Sequence, residues 1–266
     1  MSSKSMASPR HLIIVCCHGI WRGGPTKGFD EAEWLIAAFQ AGETPTFVEH
    51  IKAGLRVMKK DENSVLAFSG GPTRRETELS EAESYFNLAD ANNYFGICDP
   101  ESATKRILLE RHALDSYSNV LMSLGLFFHN FGTFPENITI VSHGFKKERL
   151  VDCHCAAIGF PLSRVDFVGV DPPGMVDGSN KAAIKGNERV VLEWRADPHG
   201  KSEGLAGKRK IRNPWGISQR IFQKDRERER SDVQSTVADD GQEYLIEGVP
   251  QPWSFGLNTQ RTPLPN

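Results

Sequence analysis

Long apolar runs are missing from this 266-residue chain. The longest, Leu12 to Cys17 and Leu124 to Phe128, fall far short of the roughly 20 residues that a bilayer-spanning helix needs. The stretch from Met1 to Arg10 is small and polar, without the apolar centre of a secretory leader. An excess of either charge is missing too. Lys and Arg number 32 against 34 Asp and Glu, a net charge of −2, which argues against a general nucleic-acid binder with its basic footprint. Cysteine is sparse, and five residues without regular spacing make a poor disulfide framework. These absences lead to the expectation of a cytoplasmic protein with neither membrane nor nucleic acid as partner.

Two catalytic signatures are also lacking. No Gly-x-Gly-x-x-Gly follows the first apolar segment, which disfavours classical NAD binding. The segment Ala67-Phe68-Ser69-Gly70-Gly71 lacks the first glycine of the Gly-x-Ser-x-Gly nucleophile elbow. Ser142 adjoins His143, but sequence neighbours rarely form a nucleophile–base pair, since geometry defines a triad. Cys153-His154-Cys155 offers thiolate and imidazole, yet no second cluster completes four ligands, and no metal is expected there. Glu110 and Asp171 alone are thin support for a metal-dependent phosphatase.

What is present is an alternation. Hydrophobic residues make up 39% of the chain, enough for a core. Leu12 to Cys17 is continuously apolar and closed by His18-Gly19, the pattern of a buried parallel strand. Glu33 to Phe39 reads as a short helix or turn. Thr46 to Lys60 carries Phe47, Ile51, Leu55 and Met58 at helical intervals. Strands follow at Ser64 to Phe68, Arg106 to Glu110, Ile138 to Val141 and Val165 to Val170. Helices are read between them at Ser80 to Asn92, Ser116 to Phe131 and Lys147 to Ile158, with a last one at Lys181 to Trp194. Asp197 to Lys210, rich in Gly and Lys, looks like a loop. Lys224 to Arg230 looks like a solvated helix face, and Gln234 to Asn266 has little periodicity.

The fold expected is therefore α/β, a Rossmann-like three-layer sandwich with a mainly parallel central sheet. It spans residues 11–196. An irregular, partly helical extension over 197–266 wraps it or is partly disordered. In such sheets ligands bind beyond the carboxyl ends of the strands. Those ends carry His18-Gly19, Ser69-Gly70-Gly71, Glu110, Ser142-His143 and Asp171.

Four of these pieces, in order, carry a likeness: Cys17-His18-Gly19 with Gly23-Gly24; Ser69-Gly70-Gly71 with Ser80-Glu81-Ala82; Glu110 with Asp115-Ser116 and Asn119; and Ser142 through Arg149. The chain resembles the YdcF/SanA-like family (domain of unknown function 218) over about residues 12–171. It is most similar to fungal-looking cytosolic members, which share the tail around Asn213-Pro214-Trp215-Gly216. The resemblance implies a Rossmann-like pocket for a nucleotide-type or other phosphate- or carboxylate-bearing ligand, with S-adenosylmethionine a candidate. The bacterial pattern Thr-Ser-x-Tyr-His-x-x-Arg departs here to Ser142-His143-Gly144-Phe145-Lys146-Lys147-Glu148-Arg149. Lys146 stands where the family His would be, so that histidine's role does not transfer unchanged.

The ligand-binding set expected is His18, Gly19, Ser69, Gly70, Gly71, Arg74, Glu81, Ser142, Lys146 and Arg149. Glu110 and His143 are the acid–base candidates. Each has a plainer reading: a tight turn for Ser69-Gly70-Gly71, a helix-dipole contact for Glu81, a cap for Glu110, and a surface helix start for Lys146 and Arg149. Two further functions stay open, a hydrolase or transferase acting on phosphate-containing metabolites and a non-catalytic sensor or interaction protein.

Overall fold

The computed structural model describes residues 8–255. Strand β1 (His11–Cys16) is followed by a small antiparallel hairpin, β2 (Ile20–Trp21) and β3 (Trp34–Leu35). Helix α1 (Thr44–Lys60) leads to β4 (Ser64–Ser69), and α2 (Glu81–Ala91) and α3 (Pro100–Arg106) lead to β5 (Ile107–Glu110). Next come α4 (Ser116–Phe131) and β6 (Asn137–Ser142). A π-helix, Glu148–Cys155, then runs into α5 (Ala156–Ile158), before β7 (Val165–Gly169). The rest is α6 (Pro173–Val176), α7 (Lys181–Ala196), α8 (Glu203–Ile211), α9 (Asp225–Ser231) and the hairpin β8 (Ser235–Val237) with β9 (Glu243–Leu245).

The central sheet has the order β5-β4-β1-β6-β7, and every pairing is parallel. The expected α/β architecture is thus the one observed. Continuous apolar strands suit a sheet covered on both faces. Within β1, Leu12, Ile14 and Cys16 pack toward α4, whereas Ile13 and Val15 pack toward α1 and α2. Gly54 lets α1 lie close to the sheet, because a Cβ there would stand 2.5 Å from Val15 Cγ2. The strand order reverses across β1. The chain first moves outward through β4 and β5, then returns to β6 and β7 on the other side. That reversal opens a crevice at the carboxyl ends of β1 and β6.

Three segments differ from the sequence reading. Glu33 to Phe39 is mostly neither helix nor turn, since β3 is held in the hairpin between short 3₁₀ turns at Glu31–Glu33 and Ala38–Gln40. Helix α3 was not anticipated, although Asp99 caps it by accepting from the Ser102 N–H at 2.9 Å and Pro100 opens it. Asp197 to Lys210 is no loop throughout, because α8 occupies most of it. Gly204 and Gly207 weaken its intrinsic propensity. Burial of Leu205 and Arg209, with Arg209 Nε 2.7 Å from Asp115 Oδ2, outweighs that weakness.

The described residues after α7 pack on one side of the sheet. Leu205, Ile221, Phe222, Val233, Leu245 and Trp253 join the same apolar cluster as α4 and the π-helix. Trp253 Nε1 donates to the Ile158 carbonyl at 2.9 Å. Residues 256–266 of the expected extension lie outside the described residues. No helix among the described residues is long and apolar enough to cross a membrane.

Candidate functional site

A cleft of about 960 Å³ opens at the reversal point. His18 enters it from the loop after β1, and Ser142 and His143 enter from the end of β6. Lys146 closes the 3₁₀ turn Gly144–Lys146, and Arg149 stands in the first turn of the π-helix. π-Helical turns inside helices are often found at functional sites. Arg74 and Glu81 come from the loop after β4 and the start of α2. The structure therefore gathers His18, Arg74, Glu81, Ser142, His143, Lys146 and Arg149 around one space.

Gly19, Ser69, Gly70, Gly71 and Glu110 build the wall rather than line it. Gly19 packs against Ile36, Leu35 and Phe47. Ser69 Oγ donates to Glu110 Oε2 at 2.6 Å, and Asn119 Nδ2 donates to the Ser69 carbonyl at 2.9 Å. Glu110 also accepts from the His112 and Ala113 amides at 2.6 and 3.1 Å. It therefore clamps its own loop, and burial pushes its carboxyl up to about 7.

The expected anion cradle at Ser69-Gly70-Gly71 is already filled by backbone. The Gly70 and Gly71 amides donate to the Glu110 and Ala113 carbonyls, and the Glu81 and Ala82 amides of α2 donate back to Gly71 and Gly70. Ser80 caps the Glu83 amide. With these donors used, an anion would have to be met by side chains. Gly70 has a different purpose, since a Cβ there would stand 2.7 Å from Glu81 Oε2. Asp171 likewise holds the loop after β6, accepting from the Phe145 amide at 3.1 Å.

Side-chain cations are plentiful. Arg74, Lys146, Arg149 and Arg212 line the cleft, and none of them has a carboxylate within ion-pair distance among the described residues. Arg74 Nε and Arg149 Nε are buried without a hydrogen-bond partner. Arg212 reaches only the Leu114 carbonyl, at 3.3 Å, and Lys146 Nζ lies 3.3 Å from His18 Nδ1. Burial, then the neighbouring Arg149, brings Lys146 down to about 7. Burial, then Arg212, brings Arg149 down to about 10. Glu81 accepts from Thr73 Oγ1 at 2.7 Å, and burial raises its carboxyl despite Arg212 and Arg74 nearby.

Two imidazoles, His18 and His143, line the floor, and a third, His50, is buried against them. The His18 and His143 rings stack with centroids 4.4 Å apart, and His50 meets them edge-on at 5.3 and 4.8 Å. His50 Nε2 donates to the Val170 carbonyl at 2.9 Å. Both nitrogens of His143 are buried without a hydrogen-bond partner, and Glu43 Oε2 lies 3.7 Å from its Nε2. Burial lowers all three rings below the usual histidine range. Elsewhere on the rim, Ser116 Oγ lies 2.8 Å from His154 Nε2.

Sequence reasoning missed His50 and Arg212. His50 lies three residues after Phe47 and beside Ile51, on the apolar stripe of α1, and a histidine on such a stripe was the signal to follow. Arg212 follows α8, the helix that composition disguised. Among the described residues, the ligand-type atoms that gather within 4.8 Å of one another are those of His18, His50 and His143, not Cys153-His154-Cys155.

No protein-family model and no solved structure matches the chain. A Saccharomyces cerevisiae protein described as "Uncharacterized protein YOR238W" is 23% identical over 298 aligned positions, covering 91% of this chain and 97% of its own. The chain is thus a distant homologue of a fungal protein along nearly its whole length.

Proposed function

We propose that the cleft binds a small ligand of nucleotide type, or another carrying phosphate or carboxylate groups, with S-adenosylmethionine among the candidates. One observation carries this reading: among the described residues, four cationic side chains, Arg74, Lys146, Arg149 and Arg212, face one cleft with no carboxylate within ion-pair distance. Arg74, Lys146 and Arg149 are half-buried and Arg212 is exposed; withdrawing cations from water is costly unless they are paired, and a ligand anion would supply the pairing. Arginine forks suit phosphate and carboxylate oxygens. The position at the strand-order reversal supports the same reading, as does the likeness of the strand exits to the YdcF/SanA-like family. Glu81 offers a carboxylate to ribose hydroxyls or an amine on the same ligand.

A second reading, turnover of a phosphate-containing metabolite by a hydrolase or transferase, is favoured by the Ser116–His154 contact of 2.8 Å on the cleft rim. That is a nucleophile–base distance. A non-catalytic sensor is the outcome if ligand binds and is never converted.

The test is thermal unfolding of the full chain against nucleotides, S-adenosylmethionine, phosphosugars and carboxylates. Ligand at 100 times its Kd adds about 2.7 kcal/mol of apparent stability. A shift with one anionic class, lost in Arg149→Met, is expected. Equal, negligible shifts across the panel overturn the reading.

A further inference from the structure

We infer that His18, His50 and His143 form a binding site for one transition-metal dication of the zinc class on the floor of the cleft. One ring nitrogen from each residue lies within 4.8 Å of the others. The three come from separate elements: the loop after β1, the middle of α1, and the first position past β6. The fold therefore brings them together.

Packing alone does not account for His50 and His143, while His18 has Ser142 Oγ 3.3 Å from its Nε2 and Lys146 Nζ 3.3 Å from its Nδ1. Buried polar atoms are nearly always hydrogen-bonded, yet both nitrogens of His143 and Nδ1 of His50 have no hydrogen-bond partner. His143 is only 1% exposed. Because His50 Nε2 donates to the Val170 carbonyl, its Nδ1 carries a free lone pair. A backbone carbonyl fixing the tautomer in this way is the usual outer-shell support of a ligating imidazole.

The donor set selects the ion. Three neutral imidazoles suit zinc, copper, nickel or iron and not the oxygen-seeking magnesium or calcium. Zn–N bonds of about 2.0–2.1 Å place tetrahedral ligands roughly 3.4 Å apart, so nitrogens that lie within 4.8 Å of one another need draw together by at most about 1.4 Å on binding. Three protein ligands leave a fourth position open. His18 and His143 line the cleft, so that position faces the ligand space. Glu43 Oε2, 3.7 Å from His143 Nε2, adds a balancing negative charge. Lys146, 3.3 Å from His18 Nδ1, would turn from the ion toward the cleft and its anion.

The full chain is stripped with a chelator and titrated with Co²⁺, following visible d–d absorption, with Zn²⁺ as competitor and elemental analysis for stoichiometry. One Co²⁺ per chain with tetrahedral bands, displaced by Zn²⁺, is expected. His50→Gln and His143→Gln should each weaken binding beyond the roughly 10- to 100-fold typical of losing outer-shell support. His129→Gln, on the surface beside Glu227, and Cys153→Ser should leave it unchanged. Circular dichroism and an unfolding curve accompany each variant. If a buried variant does not fold, His18→Gln, on the partly exposed ring, decides. No stoichiometric Co²⁺ in the wild type, or bands that survive His18→Gln and His143→Gln, overturns the site. Arg149→Met should abolish the anion response and spare the cobalt bands, so this proposal and the anion reading fail separately.

Discussion

Lys146 is a half-buried cation and Arg209 a buried one, and the structure predicts opposite consequences for removing them. Lys146 has no carboxylate within ion-pair distance and stands beside Arg149, whereas Arg209 Nε holds Asp115 Oδ2 at 2.7 Å, with both side chains nearly inaccessible. Keeping an unpaired charge out of water costs stability, so an apolar side chain of similar volume in its place should be neutral or stabilising. Breaking a buried pair from one side costs about 3–5 kcal/mol, because the remaining charge is stranded. Lys146→Met should thus hold or raise stability in ligand-free protein, while Arg209→Met lowers it. For a domain this large each kcal/mol moves the midpoint by roughly 2–4 °C. The signs reverse for binding. A charge-assisted hydrogen bond contributes about 1.5–3 kcal/mol, so Lys146→Met should weaken anion affinity by roughly 10- to 150-fold. Urea unfolding without ligand, paired with calorimetric titration of the responding anion, measures both quantities. A Lys146→Met protein that loses 2 kcal/mol or more and binds its anion normally, on the scale of the same estimates, would refute the reasoning.

Glu110 carries a pH prediction. Its carboxyl is raised to about 7 by burial, against about 4.3 in an unfolded chain, so its ionisation opposes folding. Its contribution is complete below about pH 4 and is lost as pH rises through 7, a change on the order of 4 kcal/mol. Glu110→Gln keeps the acceptor for the two loop amides and should flatten that slope, as unfolding curves at pH 5 and pH 8 would reveal; an unchanged slope argues against it. Trp253→Ala should cost about 3–5 kcal/mol, since the ring is buried and bonded to the Ile158 carbonyl. A loss under 1 kcal/mol on that scale would mean that the extension is not part of the core.

Much of the fold was legible because its signals are local. Continuous apolar runs marked β1, β4 and β6, and α4 was read with the bounds observed, where Asp115 caps one end and Gly132, with φ of 69°, ends the other. The Asn137 and Ser142 ends of β6 needed only a residue's extension at each side. Parallel pairing followed from the alternation of elements, and with it the position of the cleft.

The chemistry inside the cleft was legible only in part. Strand ends are visible in sequence, so His18, Ser142 and His143 could be nominated. Which backbone amides are already bonded is not, and that is why Ser69-Gly70-Gly71 looked like an anion cradle while its donors close the loop instead. Hydrophobic period and turn residues, each acting over a few positions, were enough to set the layered α/β plan. Only the tertiary structure decided that His50 from α1 meets His18 and His143, and that Arg212 reaches across from beyond α8. Those encounters join residues as many as 194 positions apart, a separation that follows from His18 and Arg212 sharing one cleft. Burial of Leu205 and the Arg209–Asp115 pair placed the helix that makes the second of them.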